Sequence, residues 1–139
     1  MVFKGEIKLK TKGNSDIINI TPQVEEITKN SKVKDGSVVV FAIGSTCGIT
    51  TIEYEPNLIK DFQEFLEKLV PRDKSYHHDV TWGDANGFSH IQASLIGQSF
   101  CCPIQQGNLV LGQWQQIVLC DFDNRARERK VIVKIIGEK

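Results

Sequence analysis

Nowhere does the chain run to the roughly 18 consecutive apolar residues that a membrane-crossing helix needs, so a soluble protein is expected. Net charge is missing too: 17 Lys plus Arg balance 17 Asp plus Glu. No global field draws the molecule toward DNA or an anionic membrane. Any anion site must be local, and neither a membrane nor a nucleic acid is an expected partner. The four cysteines, Cys47, Cys101, Cys102 and Cys120, make no CxxC pair. Residues Met1 to Lys12 alternate apolar and charged side chains where a signal peptide would be apolar. Both features point to a reduced, cytoplasmic compartment. No Gly-rich phosphate loop is present, so no nucleotide cofactor is expected. With 139 residues, no internal repeat and no linker, the chain has the length of one domain.

What is present alternates between strand and helix patterns. Val2 to Lys10 places Phe3, Ile7 and Leu9 on one face, the period of a half-buried strand, with Gly5 as a candidate bulge. Asp16 to Ile20 is a second strand. Thr21 then offers an N-cap and Pro22 a first-turn residue for a short helix to about Ser31. Val38 to Ile43 has the apolar density of a central strand buried on both faces, and Thr50 to Glu55 is a β-rich partner. Between Pro56 and Pro71, Leu58, Ile59, Phe62, Phe65, Leu66, Leu69 and Val70 recur at helical intervals over Asn57 to Val70. Asp73 to Phe88 is a polar loop too rich in aromatics to be disordered. A helix is expected from a Ser89 cap, closed by Gln92 in a capping box, to Gly97. Phe100–Ile104, Gln113–Phe122 and Lys130–Ile136 complete the strands. Strands outnumber helices without regular βαβ alternation, which predicts an antiparallel or mixed α+β fold.

All three histidines, His77, His78 and His90, fall in or just after the one polar loop. His78 and His90 with a carboxylate such as Asp79 or Asp84 have the chemistry of a zinc or iron site. Solvated loop histidines, one of them buried and hydrogen-bonded, are the alternative. In the first turn of a helix capped by Ser89, His90 would be kept neutral by the helix dipole, and the free N–H groups there can hold a phosphate. Ser45 and Thr46, with Cys47 and Gly48, can form a second wall or a simple turn. Cys47 is the candidate thiol, or a small buried hydrophobe. Arg125, Arg127 and Arg129 recur at period two and are either phosphate clamps or a solvated strand edge.

Three stretches resemble the secondary thiamine-phosphate synthase (YjbQ-like) family. They are Tyr76-His77-His78-Asp79, Ser89-His90-Ile91-Gln92-Ala93-Ser94-Leu95-Ile96-Gly97 and Leu111-Gly112-Gln113-Trp114-Gln115-Gln116-Ile117. The resemblance implies a β-sandwich of about seven strands in two sheets with two to three helices, assembled as a homotrimer. It implies joining of a hydroxymethylpyrimidine diphosphate to a thiazole phosphate with release of pyrophosphate, aided by a divalent metal (zinc, iron, manganese or magnesium). His78 and His90 match family histidines, as catalytic groups or metal ligands, and Asp121 sits where the family often has an acid. Ser45, Thr46, Ser89, Arg125 and Arg127 would then hold the phosphates. Two departures stand out. Ser45-Thr46-Cys47 replaces a family histidine, leaving its role to Glu53 or Cys47 or unfilled, and Gln113 replaces a threonine. A non-catalytic trimeric binding protein for a phosphorylated metabolite is the competing expectation, and RNA binding, lacking an RNP motif and a basic field, ranks last.

Overall fold

In the computed structural model, which describes residues 1–139, the chain runs through β1 (Val2–Thr11), β2 (Asp16–Asn19), α1 (Thr21–Ser31), β3 (Asp35–Ala42), β4 (Cys47–Glu53) and α2 (Pro56–Leu69). It continues through α3 (His77–Trp82), α4 (Gly87–Ile96), β5 (Ser99–Gln105), β6 (Asn108–Leu109), β7 (Gln115–Asp121) and β8 (Arg127–Glu138). Two antiparallel sheets result, five strands in the order β1-β8-β3-β5-β6 and three in the order β2-β7-β4. This is the expected α+β architecture, with two elements more than anticipated: α3 lies inside the supposed loop, and β6 is a two-residue return strand.

Alternation along each strand builds the main core between the sheets. Val38 and Val40 of β3 and Val133 and Ile135 of β8 meet Ile49 of β4 and Ile117 and Leu119 of β7. The outer face of the smaller sheet is covered by helices: Ile17, Val118 and Cys120 pack with Leu66 of α2 and Ala93 of α4. Val24 of α1 joins the inter-sheet core. Ile27 lies where a Cβ on Gly5 would stand, 2.7 Å away. Gly5 is therefore a close-packing position and not a bulge, since it keeps regular register opposite Val133.

Other local expectations are corrected by what each group finds to bond. β3 is not buried on both faces: Val38 and Val40 are inside while Phe41 is exposed. β4 belongs to the other sheet. Thr21 is the first helical residue of α1, with Ile20 at the cap, because its hydroxyl is taken by the Ile117 N–H at 2.7 Å. Trp114 precedes β7 and is 66% exposed. Glu55 caps α2 by accepting from the N–H groups of Asn57 and Leu58 at 3.0 and 2.7 Å, with Pro56 in the donor-free first position.

Candidate functional site

The β3–β4 connection, α3, the start of α4 and the start of β8 converge on a cleft of about 390 Å³. Trp82 is its single hydrophobic lining residue. Gly44 turns the chain out of β3 at φ +143°, and a Cβ there would approach Arg129 Nη1 to 2.7 Å. A larger residue would displace the guanidinium, so glycine is what lets Arg129 reach the cleft beside Ser45 and Thr46.

Asp79 clasps the starts of two helices. Its carboxylate accepts from Tyr76 N at 3.0 Å and from Gly87 N at 3.3 Å, which fixes α3 against α4 and sets His78 against His90 with ring centroids 4.5 Å apart and planes tilted by 48°. Burial, then the neighbouring His78, lowers the pKa of His90 below 6.5, against a weaker pull from Asp123 and Asp84. His90 is a neutral imidazole at neutral pH. His78 Nδ1 is buried without a hydrogen-bond partner, 3.9 Å from Asp84 Oδ1.

The floor is an ionic network. Arg129, 9% exposed, donates from Nε and Nη2 to the two oxygens of fully buried Asp121 at 2.7 and 2.9 Å. Its Nη2 also donates to Thr46 Oγ1 at 2.6 Å. The Thr46 hydroxyl donates in turn to Asp123 Oδ2 at 3.0 Å, and Arg127 Nε donates to the same oxygen at 2.7 Å. Burial opposes the Asp123 charge, but the bonds from Arg127, Asn86, Asn124 and Thr46 outweigh it and hold the pKa below 3.8. Arg127 Nη1 and Nη2 and Arg129 Nη1 have no protein acceptor, so three N–H-bearing nitrogens are left for a ligand. Forked guanidinium donors of this kind match phosphate oxygens.

Of the residues expected at the site, His78, His90, Ser45, Thr46 and Arg127 line the cleft. Three do not. Asp121 is sealed behind Arg129 and Thr11, so it orients the arginine and cannot reach a substrate. Ser89 is the third residue of α4, with Asn86 at the cap. Its hydroxyl is buried without a partner, while Gln92 donates to Leu66 O and Val70 O in place of closing a capping box. Arg125 is exposed in the β7–β8 turn, away from the cleft. The solvated-edge reading of the arginine run fails at Arg127 and Arg129, which are ion-paired to buried Asp123 and Asp121, and fits exposed Arg125. Cys47 is fully buried and burial raises its pKa, so it is core and not a nucleophile. Glu53 ends β4, opposite Gln115 and outside the cleft. Arg129, read with its neighbours as a candidate phosphate clamp, also lines the cleft, while Asp123, Asn86 and Gly44 are the site residues that sequence reasoning did not place.

A resident metal was tested against the donor set. No group of three His, Cys, Asp or Glu side chains is gathered to hold an ion. Beside His78 and His90 the carboxylate in the cleft is Asp84, 3.9 Å from His78 Nδ1, while Asp121 and Asp123 are committed to arginines. Protein zinc sites use three or four protein ligands, and one chain gathers no such set.

The model of the family described as UPF0047 protein YjbQ-like matches residues 5–138. The chain belongs to this family. A UPF0047 protein of Archaeoglobus fulgidus is 41% identical over 131 residues, covering 94% of this chain and 99% of that one. One from Methanocaldococcus jannaschii is 37% identical over 140 residues, covering 100% and 96%. Among solved structures, a YbjQ-like protein of unknown function from Sulfolobus solfataricus superposes with a TM-score of 0.95 at 31% identity over 99% of both chains. A family member from Clostridium acetobutylicum gives 0.87 at 40% identity, covering 95% and 99%. YjbQ-like membership thus carries the fold, while the family's function is unknown and the thiamine-phosphate synthase activity does not come with it.

Proposed function

We propose that the cleft binds the phosphate end of a phosphorylated small molecule and serves a secondary thiamine-phosphate synthase-type transfer in the cytoplasm. The observation that carries this reading is Arg127: its Nε is fixed by buried Asp123 at 2.7 Å while both terminal nitrogens are left unpaired in the cleft that neutral His90 also lines. In such a transfer the methylene–oxygen bond of the pyrimidine diphosphate breaks and its electron pair leaves with pyrophosphate. The thiazole nitrogen supplies the pair for the new carbon–nitrogen bond. Arg127 and Arg129 would stabilise the charge growing on the departing pyrophosphate, and an N–H of His90 would hydrogen-bond the leaving oxygen. Incubation with hydroxymethylpyrimidine diphosphate and thiazole phosphate tests it: pyrophosphate release that disappears in His90→Ala is expected, and release unchanged in that variant removes His90 from the mechanism.

The second reading, a non-catalytic binding protein for a phosphorylated metabolite, is favoured by Gly44-Ser45-Thr46, which puts no titratable side chain opposite the histidine pair. Saturable binding with no product would select it. We also infer that the protein works as a homotrimer, which would cover apolar side chains left in solvent near the cleft, Val80 and Trp82 of α3 and Ile91 and Leu95 of α4. With no set of three ligands gathered in one chain, elemental analysis of dialysed protein is expected to find no stoichiometric zinc, iron, manganese or magnesium. One equivalent per chain, lost in His90→Ala, would contradict that expectation.

A further inference from the structure

Asp123 does not line the cleft, yet three residues that do are tied to its carboxylate. Oδ2 accepts from Arg127 Nε at 2.7 Å and Thr46 Oγ1 at 3.0 Å. Oδ1 accepts from Asn86 Nδ2 at 3.3 Å and from the Asn124 N–H at 2.8 Å. Each oxygen holds two donors and the residue is fully buried, so no acceptor is left over for a ligand. The contact to Arg127 is made through Nε alone. An arginine held this way keeps one edge of its guanidinium fixed and its two terminal nitrogens free, and fixing it before binding removes side-chain ordering from the cost of association.

We propose that Asp123 is the positioning residue of the anion site, acting on the ligand chiefly through Arg127, the charged one of the three cleft residues it holds. The inference rests on the reading of the cleft as a phosphate site and deepens it. The charge of Asp123 makes the proposal testable by sign. A carboxylate beside the site repels an incoming anion, so neutralising it would tighten anion binding if its charge were all that mattered. Removing a positioning partner weakens binding instead, because Arg127 then has to be ordered by the ligand.

Titration calorimetry with inorganic pyrophosphate on the full chain separates these cases. Wild type is expected to bind saturably, and Asp123→Asn, which keeps the side chain's size, about tenfold more weakly, equivalent to about 1.4 kcal/mol. In the Arg127→Ala background the same substitution is expected to leave the remaining affinity within about twofold or to tighten it, because the group it positions is gone. Equal or tighter binding by Asp123→Asn, or an equal loss in both backgrounds, would overturn the role of Asp123 while leaving the anion site standing. No binding by the wild type would overturn both. A measurement on the wild type alone stands in if Asp123→Asn does not fold. The Arg127 Nε–H proton, bonded to a buried carboxylate, is expected to exchange slowly with water by NMR, and exchange as fast as that of exposed Arg125 would refute the arrangement.

Discussion

Two aspartates and two arginines nest about residue 125: Asp121 pairs with Arg129 and Asp123 with Arg127 across the same turn. Taking two charges out of water is costly, and leaving one of them without its partner costs more. Asp121→Ala is therefore expected to destabilise the protein by about 3 kcal/mol, read from denaturant unfolding. The titrating groups set a pH dependence of known sign. His90 has a folded pKa below 6.5, so the unfolded chain takes up its proton first and stability falls as pH drops below about 6.5. Asp123 is depressed below 3.8, so its contribution is complete above that value and lost as pH falls through its folded pKa. Unfolding midpoints from pH 8 to pH 3 should show both losses, and His90→Gln should remove the upper one. Much of the site was legible at this scale: His78 and His90 of the histidine cluster, Ser45, Thr46 and Arg127 all line the cleft, and His77 does not. Ser89 and Arg125 were misplaced because spacing does not say which oxygen already occupies a helix start or which way a turn residue points. The nested pattern of Asp121, Asp123, Arg127 and Arg129 was present in the sequence, and reading the arginines without the acids missed it.

Among the elements, those with a sustained apolar period were the readable ones. α2 follows its apolar spacing, and Glu55 and Pro56 set its start. α3 has six residues and none buried, so no apolar period announces it. It exists because Asp79 ties its first turn to Tyr76 and Gly87. β6 is two residues long and escaped for the same reason. Gln92 shows how a polar residue can hold elements together: fully buried, it donates to Val70 O at 3.0 Å, just past the end of α2, and to Leu66 O at 3.3 Å, which also accepts the Val70 N–H. Gln92→Ala removes both bonds and leaves a void between the helices. A loss of about 2 kcal/mol is expected in chemical denaturation; a change under about 0.5 kcal/mol, the size of a neutral surface substitution, would show that the link is dispensable.

At the scale of the whole molecule, the two sheets and the helical layer divide the work. The sheets supply a core with Val38, Val40, Ile117, Leu119 and Val133 fully buried, and the site is assembled where β3, β4 and β8 end beside α3 and α4. Strand periodicity predicted the antiparallel or mixed α+β class and the family resemblance implied two sheets, but neither could say that β4 would leave the sheet of β3, since pairing is decided by side chains far apart in sequence. The apolar groups exposed on α3 and α4 belong to the same scale. Sedimentation equilibrium is expected to give the mass of three chains, and Val80→Asp together with Leu95→Asp to lower it; a wild-type monomer would contradict the trimer. The central claim is that a phosphate is held in the cleft between Arg127 and His90. A crystal structure of the wild-type protein grown with pyrophosphate tests it most directly. Phosphate oxygens within hydrogen-bond distance of Arg127 Nη1 and Nη2 are the predicted result, and pyrophosphate bound elsewhere, with the cleft filled by water alone, would contradict the account.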